Sequence, residues 1–271
     1  MIKEIAGDLQ RIKEEKPLIH HITNFVVMNE TANVTLCLGA LPVMAHAKDE
    51  VAEMVSFAGA LLLNIGTLTT ELVDSMVIAG KRANELSIPV ILDPVGAGAT
   101  KLRTDASRRI LDEVAIAIIR GNSAEIGVLA GAGGEIKGVE AVGKDEKIVD
   151  VARGLAAREK CVVSVTGPED IITDGERVAL VKNGDPMMAT ITGTGCMSTT
   201  ITAGFASIQK DYLKAATGAL VTFGIAGEKA ATMTRGKPGS FHAALYDSVY
   251  AVDYDIILKE AKLELVLPVK A

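Results

Sequence analysis

Residues 190–200, Thr-Ile-Thr-Gly-Thr-Gly-Cys-Met-Ser-Thr-Thr, join two glycines and a thiol to a run of small and apolar residues. Gly193 and Gly195 admit backbone angles that residues with a Cβ avoid. The N–H groups of Gly193, Thr194, Gly195 and Cys196 can therefore converge where the next helix, expected over about residues 196–209, exposes its unpaired donors. The positive end of that helix adds to the attraction for a phosphate. Cys196 falls on the first turn, where the same dipole favours thiolate over thiol. Gly193, Thr194, Gly195 and Cys196 are thus the candidate catalytic group, suited to holding a transferring anion. Gly-rich strand-to-helix turns also occur without any chemistry, so other positions must converge on this one.

Several do, as polar residues closing short apolar runs, which is where open α/β sheets place ligands. The run 18–24 ends in Asn24, a candidate for binding substrate that serves equally well as the cap of the next helix. His20 and His21 have no Cys, His or carboxylate at ligand spacing and read as packing or surface residues. Met44, after Leu41-Pro42-Val43, reads on general grounds as core. The run 61–66 closes on Asn64 and Gly66, and the run 89–96 on Asp93. Arg120 ends the run 117–120, where its guanidinium is available to a polyphosphate. Asn122 and Glu125 stand three apart at a helix start, the spacing of a cap with its reciprocal carboxylate, and spacing alone favours that role. The functional alternative pairs Glu125 with Asp93 to organise a magnesium ion or its waters. Thr166-Gly167 closes the run 161–165.

These positions need a frame. Ile2, Ile5, Leu9 and Ile12 predict an amphipathic helix that stops at Pro17. Helices are expected over about 27–38, 49–58, 69–86, 104–114 and 149–157, alternating with the apolar runs. Strand, helix, strand alternation is most simply solved by a parallel sheet with right-handed crossovers and helices on both faces. Residues 171–173 and 178–181, separated by Asp-Gly-Glu-Arg, predict a hairpin and an antiparallel far edge. Residues 131–147, rich in Gly and charge, read as a surface excursion. Helices are expected at about 212–234, 240–250 and 253–261.

A chain of 271 residues with 49% hydrophobic content is long enough for one large core, and nothing in its composition divides it. A net charge of −6 argues against a nucleic-acid or anionic-membrane surface. Cys37, Cys161 and Cys196, an odd and widely spaced set, fit neither a disulfide scaffold nor a metal framework and suit a reducing compartment, hence the cytoplasm. Acidic residues interrupt the apolar positions of the N-terminus, so it is not a signal peptide. No apolar run approaches the roughly 20 residues of a spanning helix.

Taken in order, His21-Ile-Thr-Asn24, Val26-Val-Met-Asn29, Pro42-Val-Met-Ala45, Asp93-Pro-Val-Gly96, Arg120-Gly-Asn-Ser-Ala-Glu125, Gly193-Thr-Gly-Cys196 and Gly239-Ser-Phe241 resemble the ribokinase-like superfamily. More narrowly, from about residue 15 to residue 250, they resemble the hydroxyethylthiazole kinases. The resemblance implies a single kinase domain over 1–271, an α/β three-layer sandwich with a mostly parallel central sheet. It implies ATP-dependent phosphorylation of the primary alcohol of 4-methyl-5-(2-hydroxyethyl)thiazole with Mg2+, in a homotrimer whose active sites lie between subunits. It also implies that Met44 lies against the thiazole, that Arg120 and Thr166 serve ATP, and that Gly193 lies near the alcohol. Cys196 occupies the place where most ribokinase-like enzymes carry a catalytic Asp, a departure that belongs to the thiazole-kinase branch. His21 stands where many members carry Asn, and it would bear on substrate preference if it touched the ligand. Two other readings remain open here: a ribokinase-like kinase for a hydroxymethylpyrimidine, and a nucleotide-binding sensor without turnover. A cysteine hydrolase is disfavoured, because His20, His21, His46 and His242 form no local signature with Cys196.

Overall fold

Strand β3 (Ala60–Asn64) is buried along its whole length, as Leu61-Leu62-Leu63 requires, since a strand without polar alternation must be covered on both faces. The computed structural model describes residues 1–132 and 145–266, and most of the excursion expected at 131–147 lies outside the described residues. Beside β3 run β1 (Leu18–Ile22), β2 (Leu41–Val43), β4 (Val90–Asp93), β5 (Ile118–Asn122) and β6 (Val162–Thr166), all parallel. The far edge is antiparallel: β7 (Asp170–Thr173), β8 (Val178–Val181) and β9 (Leu263–Val266). The order is β2-β1-β3-β4-β5-β6-β7-β8-β9. The hairpin is where the turn residues put it. β9 was not foreseen, because Leu-Glu-Leu-Val is too short a segment to declare a period of its own.

Successive strand residues point to opposite faces, and two cores result. Leu62, Ile91, Ile118 and Ile172 pack with α1 (Ile2–Glu15), α2 (Met28–Leu38), α8 (Thr194–Ile208), α9 (Tyr212–Thr234) and α10 (Pro238–Ala251). Leu63, Leu92, Ile119 and Val163 pack against α4 (Thr70–Glu85), α5 (Lys101–Glu113), α6 (Ser123–Ala130) and α7 (Asp145–Glu159). The molecule is the expected three-layer α/β sandwich with a mostly parallel central sheet. The helix expected over 49–58 is shorter, α3 (Val51–Val55), with turns on either side and no side-chain cap at Glu50. A 3-10 turn, Pro186–Thr190, not anticipated, starts where Asp185 accepts the Met187 N–H. Among the described residues no helix is long and apolar enough to cross a membrane.

Register explains why the polar strand ends meet. Asn64 lies opposite Asp93 across β3 and β4, and Asn122 opposite Thr166 across β5 and β6. The β4–β5 register (Leu92 opposite Ile119) sets Asp93 beside Arg120. Asn64, Asp93, Asn122 and Thr166 each close a strand, so a shared carboxyl edge brings them together, while Arg120 stands two residues inside β5, which runs past the end expected at 120.

Candidate active site

The start of α8 points at that edge. Gly193 is its N-cap with φ +89° and no side-chain cap. A Cβ there would also come within 2.8 Å of Val27 Cγ1. Met197 N donates to Gly193 O at 2.8 Å, so the N–H groups of Thr194, Gly195 and Cys196 precede the first intrahelical bond and have no partner within the helix. The Thr194 hydroxyl ties this turn to Met188 O at 3.0 Å. α8 begins two residues earlier than its apolar pattern suggested, and this places Thr194 and Gly195 inside the first turn.

Arg120 lies under the turn, buried. Its Nη2 donates to Thr166 Oγ1 at 2.7 Å, and its Nη1 stands 4.0 Å from Asp93 Oδ1. A Cβ on Gly195 would come within 2.8 Å of Nη1, so a side chain there would have to displace the guanidinium.

Two cavities meet here, sharing Arg120 and Gly195. One, of about 530 Å³, is walled by Thr166, Gly167, Thr194, Leu220, Phe223 and Gly224. The other, of about 390 Å³, is walled by Asn24, Asp93, Glu125, Gly193 and Cys196. The first has the aliphatic and aromatic walls that suit a nucleobase, and the second gathers carboxylates, amides and the thiol. Asp170, also on the first cavity, was not anticipated; burial pushes its carboxyl up to about 6.

Cys196 is not the thiolate that the helix dipole suggested. Burial first and the neighbouring Asp93 second push the thiol up to about 12, against the N–H donors of Asn64 and Asn24 and the charge of Arg120. A dipole worth a fraction of a charge does not overcome desolvation together with a carboxylate. Asp93, fully buried, is itself pushed up to about 6 by desolvation, which outweighs Arg120. Its Oδ2 accepts from Thr199 Oγ1 and Asn64 Nδ2, both at 2.8 Å. Its Oδ1 is buried without a hydrogen-bond partner.

Asn122 and Glu125 form the reciprocal cap, with Oδ1 and Oε2 each accepting a backbone N–H at 2.9 Å. Glu125 Oε1 accepts from Gly96 N at 2.8 Å. The structural role that spacing favoured is therefore present, and the same carboxylate also reaches the second cavity. Among the described residues no group of three or more His, Cys, Asp or Glu could hold a metal, leaving Asp93 and Glu125 as a pair.

Asn24 does not cap α2, whose N-cap is Val27 with no side-chain cap; its Oδ1 closes the loop before the helix, accepting from Val26 N and Val27 N at 3.1 and 3.2 Å, and the residue lines the second cavity. His21 does not touch the cavity. It is fully buried, with Nε2 3.3 Å from Thr35 Oγ1, and burial takes it down to about 3, so it is neutral. His20 is a core residue whose Nε2 meets Ala45 O at 2.8 Å. Met44 is half-buried just beyond β2 and walls neither cavity within one chain. Asn64 stands at the end of an apolar run in the sequence but carries no assigned role there, whereas Thr199 looks like any other small helical residue.

A mostly parallel α/β sandwich, with a Gly-x-Gly helix start set over the Arg120 of β5, is the fold of the ribokinase-like class. The pyridoxal kinase from Staphylococcus aureus in complex with AMP-PCP shares this fold at 14% identity, with a TM-score of 0.62 over 92% of this chain and 99% of that one. Residues 9–255 match the profile of the Hydroxyethylthiazole kinase family. The hydroxyethylthiazole kinase of Thermoanaerobacter pseudethanolicus is 57% identical over 257 residues, 94% of this chain and 97% of its own. The structure of hydroxyethylthiazole kinase protein from Pyrococcus horikoshii OT3 superposes with a TM-score of 0.90 at 46% identity, covering 97% of this chain and 99% of that one. The chain belongs to the hydroxyethylthiazole kinase family.

Proposed function

We propose that the chain transfers the γ-phosphoryl group of ATP to the hydroxyl of 4-methyl-5-(2-hydroxyethyl)thiazole, with Mg2+, as a cytoplasmic enzyme of thiamin salvage. The observation that carries this reading is the meeting of two cavities at Arg120 and the open N–H groups of Thr194, Gly195 and Cys196. ATP occupies the cavity of Thr166 and Phe223, and the alcohol occupies that of Asn24 and Cys196. The phosphoryl group then lies between them, at the helix start.

Phosphoryl transfer passes through a loose transition state, so positioning and charge stabilisation matter more than a strong base. Arg120 and the three amides hold the equatorial oxygens, and each such donor typically lowers a barrier of this kind by about 3–4 kcal/mol. Cys196, neutral at rest, orients the alcohol and takes no proton before transfer begins; as the O–P bond forms, the alcohol's proton leaves late, to an oxygen of the transferred phosphoryl group and on to water. Thr166 keeps the Arg120 fork on the nucleotide side.

The two carboxylates fit Mg2+, which retains waters and uses one or two carboxylates together with phosphates. Asp93 offers a buried oxygen with no other partner, and Glu125, with both oxygens engaged by amides, would hold a water of the ion. When bound, the ion neutralises phosphate charge.

Met44 serves the thiazole from a neighbouring copy in a homotrimer. Phe25 and Val26, 69% and 62% exposed beside Asn24, are the apolar surface such a neighbour would cover. A coupled ADP-release assay with the thiazole alcohol, run beside hydroxymethylpyrimidine and pyridoxal, tests the reading. Turnover is expected with the thiazole alcohol above the others, and turnover confined to another alcohol would overturn it.

A further inference from the structure

The amide of Asn64 is buried at the end of β3, and its full hydrogen-bonding capacity is spent on the site. Oδ1 accepts from Gly66 N at 2.9 Å and from Asn24 Nδ2 at 2.8 Å. Nδ2 donates to Asp93 Oδ2 at 2.8 Å and to Cys196 Sγ at 3.2 Å. A backbone N–H cannot accept, so the Gly66 bond fixes which end of the amide is oxygen, and Nδ2 must face Asp93 and Cys196. The Asn24 amide is fixed the same way by the N–H groups of Val26 and Val27, and its Nδ2 lies 3.7 Å from the same sulfur.

Two consequences follow from this arrangement. Cys196 Sγ receives N–H donors from the side of the sheet, so its own S–H is directed away from them, toward the cavity. Asp93 Oδ2 is filled by Asn64 and Thr199, which leaves Oδ1 as the oxygen free beside Arg120. One buried side chain thus sets the aim of two groups on the acceptor cavity and locks both to the loop that carries Asn24.

We propose that Asn64 is a positioning residue for phosphoryl transfer, acting through Cys196 and Asp93 without touching either substrate. The proposal rests on the kinase reading for its turnover arm only. Its test is a double-mutant cycle of Asn64→Ala and Cys196→Ala. Asn64→Ala is expected to lower kcat by about tenfold or more with the KM for ATP within about twofold, because the nucleotide cavity lies across Arg120. In the Cys196→Ala background the same change should cost clearly less. Equal losses in both backgrounds, or a KM for ATP that rises in step with the fall in kcat, would assign Asn64 to the fold alone and overturn the proposal.

Asn64→Leu keeps the size of the side chain without its donors or a new charge, and it serves the same cycle if the alanine variant does not fold. Labelling of Cys196 by iodoacetamide at one fixed pH, read by peptide mass, needs no turnover. It should be slower in Asn64→Leu, which takes the N–H donor from the sulfur and adds no charge, than in the parent, and an unchanged rate sinks the proposal. If the parent itself phosphorylates no thiazole alcohol, the kinase reading fails while the labelling still judges Asn64.

Discussion

Asp93 makes the sharpest prediction about energetics. The carboxyl is fully buried, and its ionised form is stabilised by Arg120, Thr199 and Asn64 less than burial penalises it, so the group titrates near 6 rather than at the usual 3.8. A difference of that size between folded and unfolded chain corresponds to about 3 kcal/mol. The native state holds this proton more tightly than the unfolded chain does. The stability so gained is complete below 3.8 and is lost as pH rises through about 6. Asp93→Asn keeps an acceptor for Asn64 and Thr199 and has no proton to lose. Relative to the parent, the variant should therefore gain up to about 3 kcal/mol across that window and hold the gain above it, while its turnover collapses. Urea unfolding of both proteins without nucleotide or magnesium, at a series of pH values, gives the difference curve, in which other titrating groups such as Asp170 cancel. A flat difference, or one that falls with rising pH, would refute the assignment of burial as the dominant cause.

Other perturbations separate the parts of the site. Gly195→Ala drives a methyl into Arg120 Nη1 and should reduce kcat by about 10²-fold with the fold intact by circular dichroism; near-parent turnover would show that the guanidinium is not held there during transfer. Cys196→Ala should slow turnover by less than the roughly 10²-fold that marks the lower end of general-base effects, since the thiol is neutral, and should leave ATP binding by calorimetry unchanged; a larger loss would restore the base. Phe25→Ser combined with Val26→Ser should shift light scattering from trimer toward monomer and raise the KM for the alcohol, and an unaltered trimer would move the interface elsewhere.

Much of this was legible in the residues. Aliphatic runs leading into Asn24, Asn64, Asp93, Arg120 and Thr166 state the sheet and its carboxyl edge together, because in a parallel sheet every strand ends on the same side, although β1 stops short of Asn24 and β5 runs past Arg120. The Gly-x-Gly before α8 stated the helix start. What was hidden depends on three-dimensional register and burial. The length of Thr199's reach to Asp93, the filling of Asp93 Oδ2 and the pairing of Asn24 with Asn64 need neighbouring strands in place. The helix start before Cys196 can be seen in a sequence, while the burial that opposes its dipole cannot. Glu125 shows how little the cap and cation readings exclude each other, since one carboxylate closes the helix and walls the cavity.

The central claim is that the phosphoryl group travels past the open amides at the head of α8. It is tested most directly by the structure of the protein with a non-hydrolysable ATP analogue, magnesium and the thiazole alcohol. The γ-phosphate should accept from the N–H groups of Gly195 and Cys196 and from Arg120, with the hydroxyl beside Cys196. A γ-phosphate bound outside that turn would contradict the account.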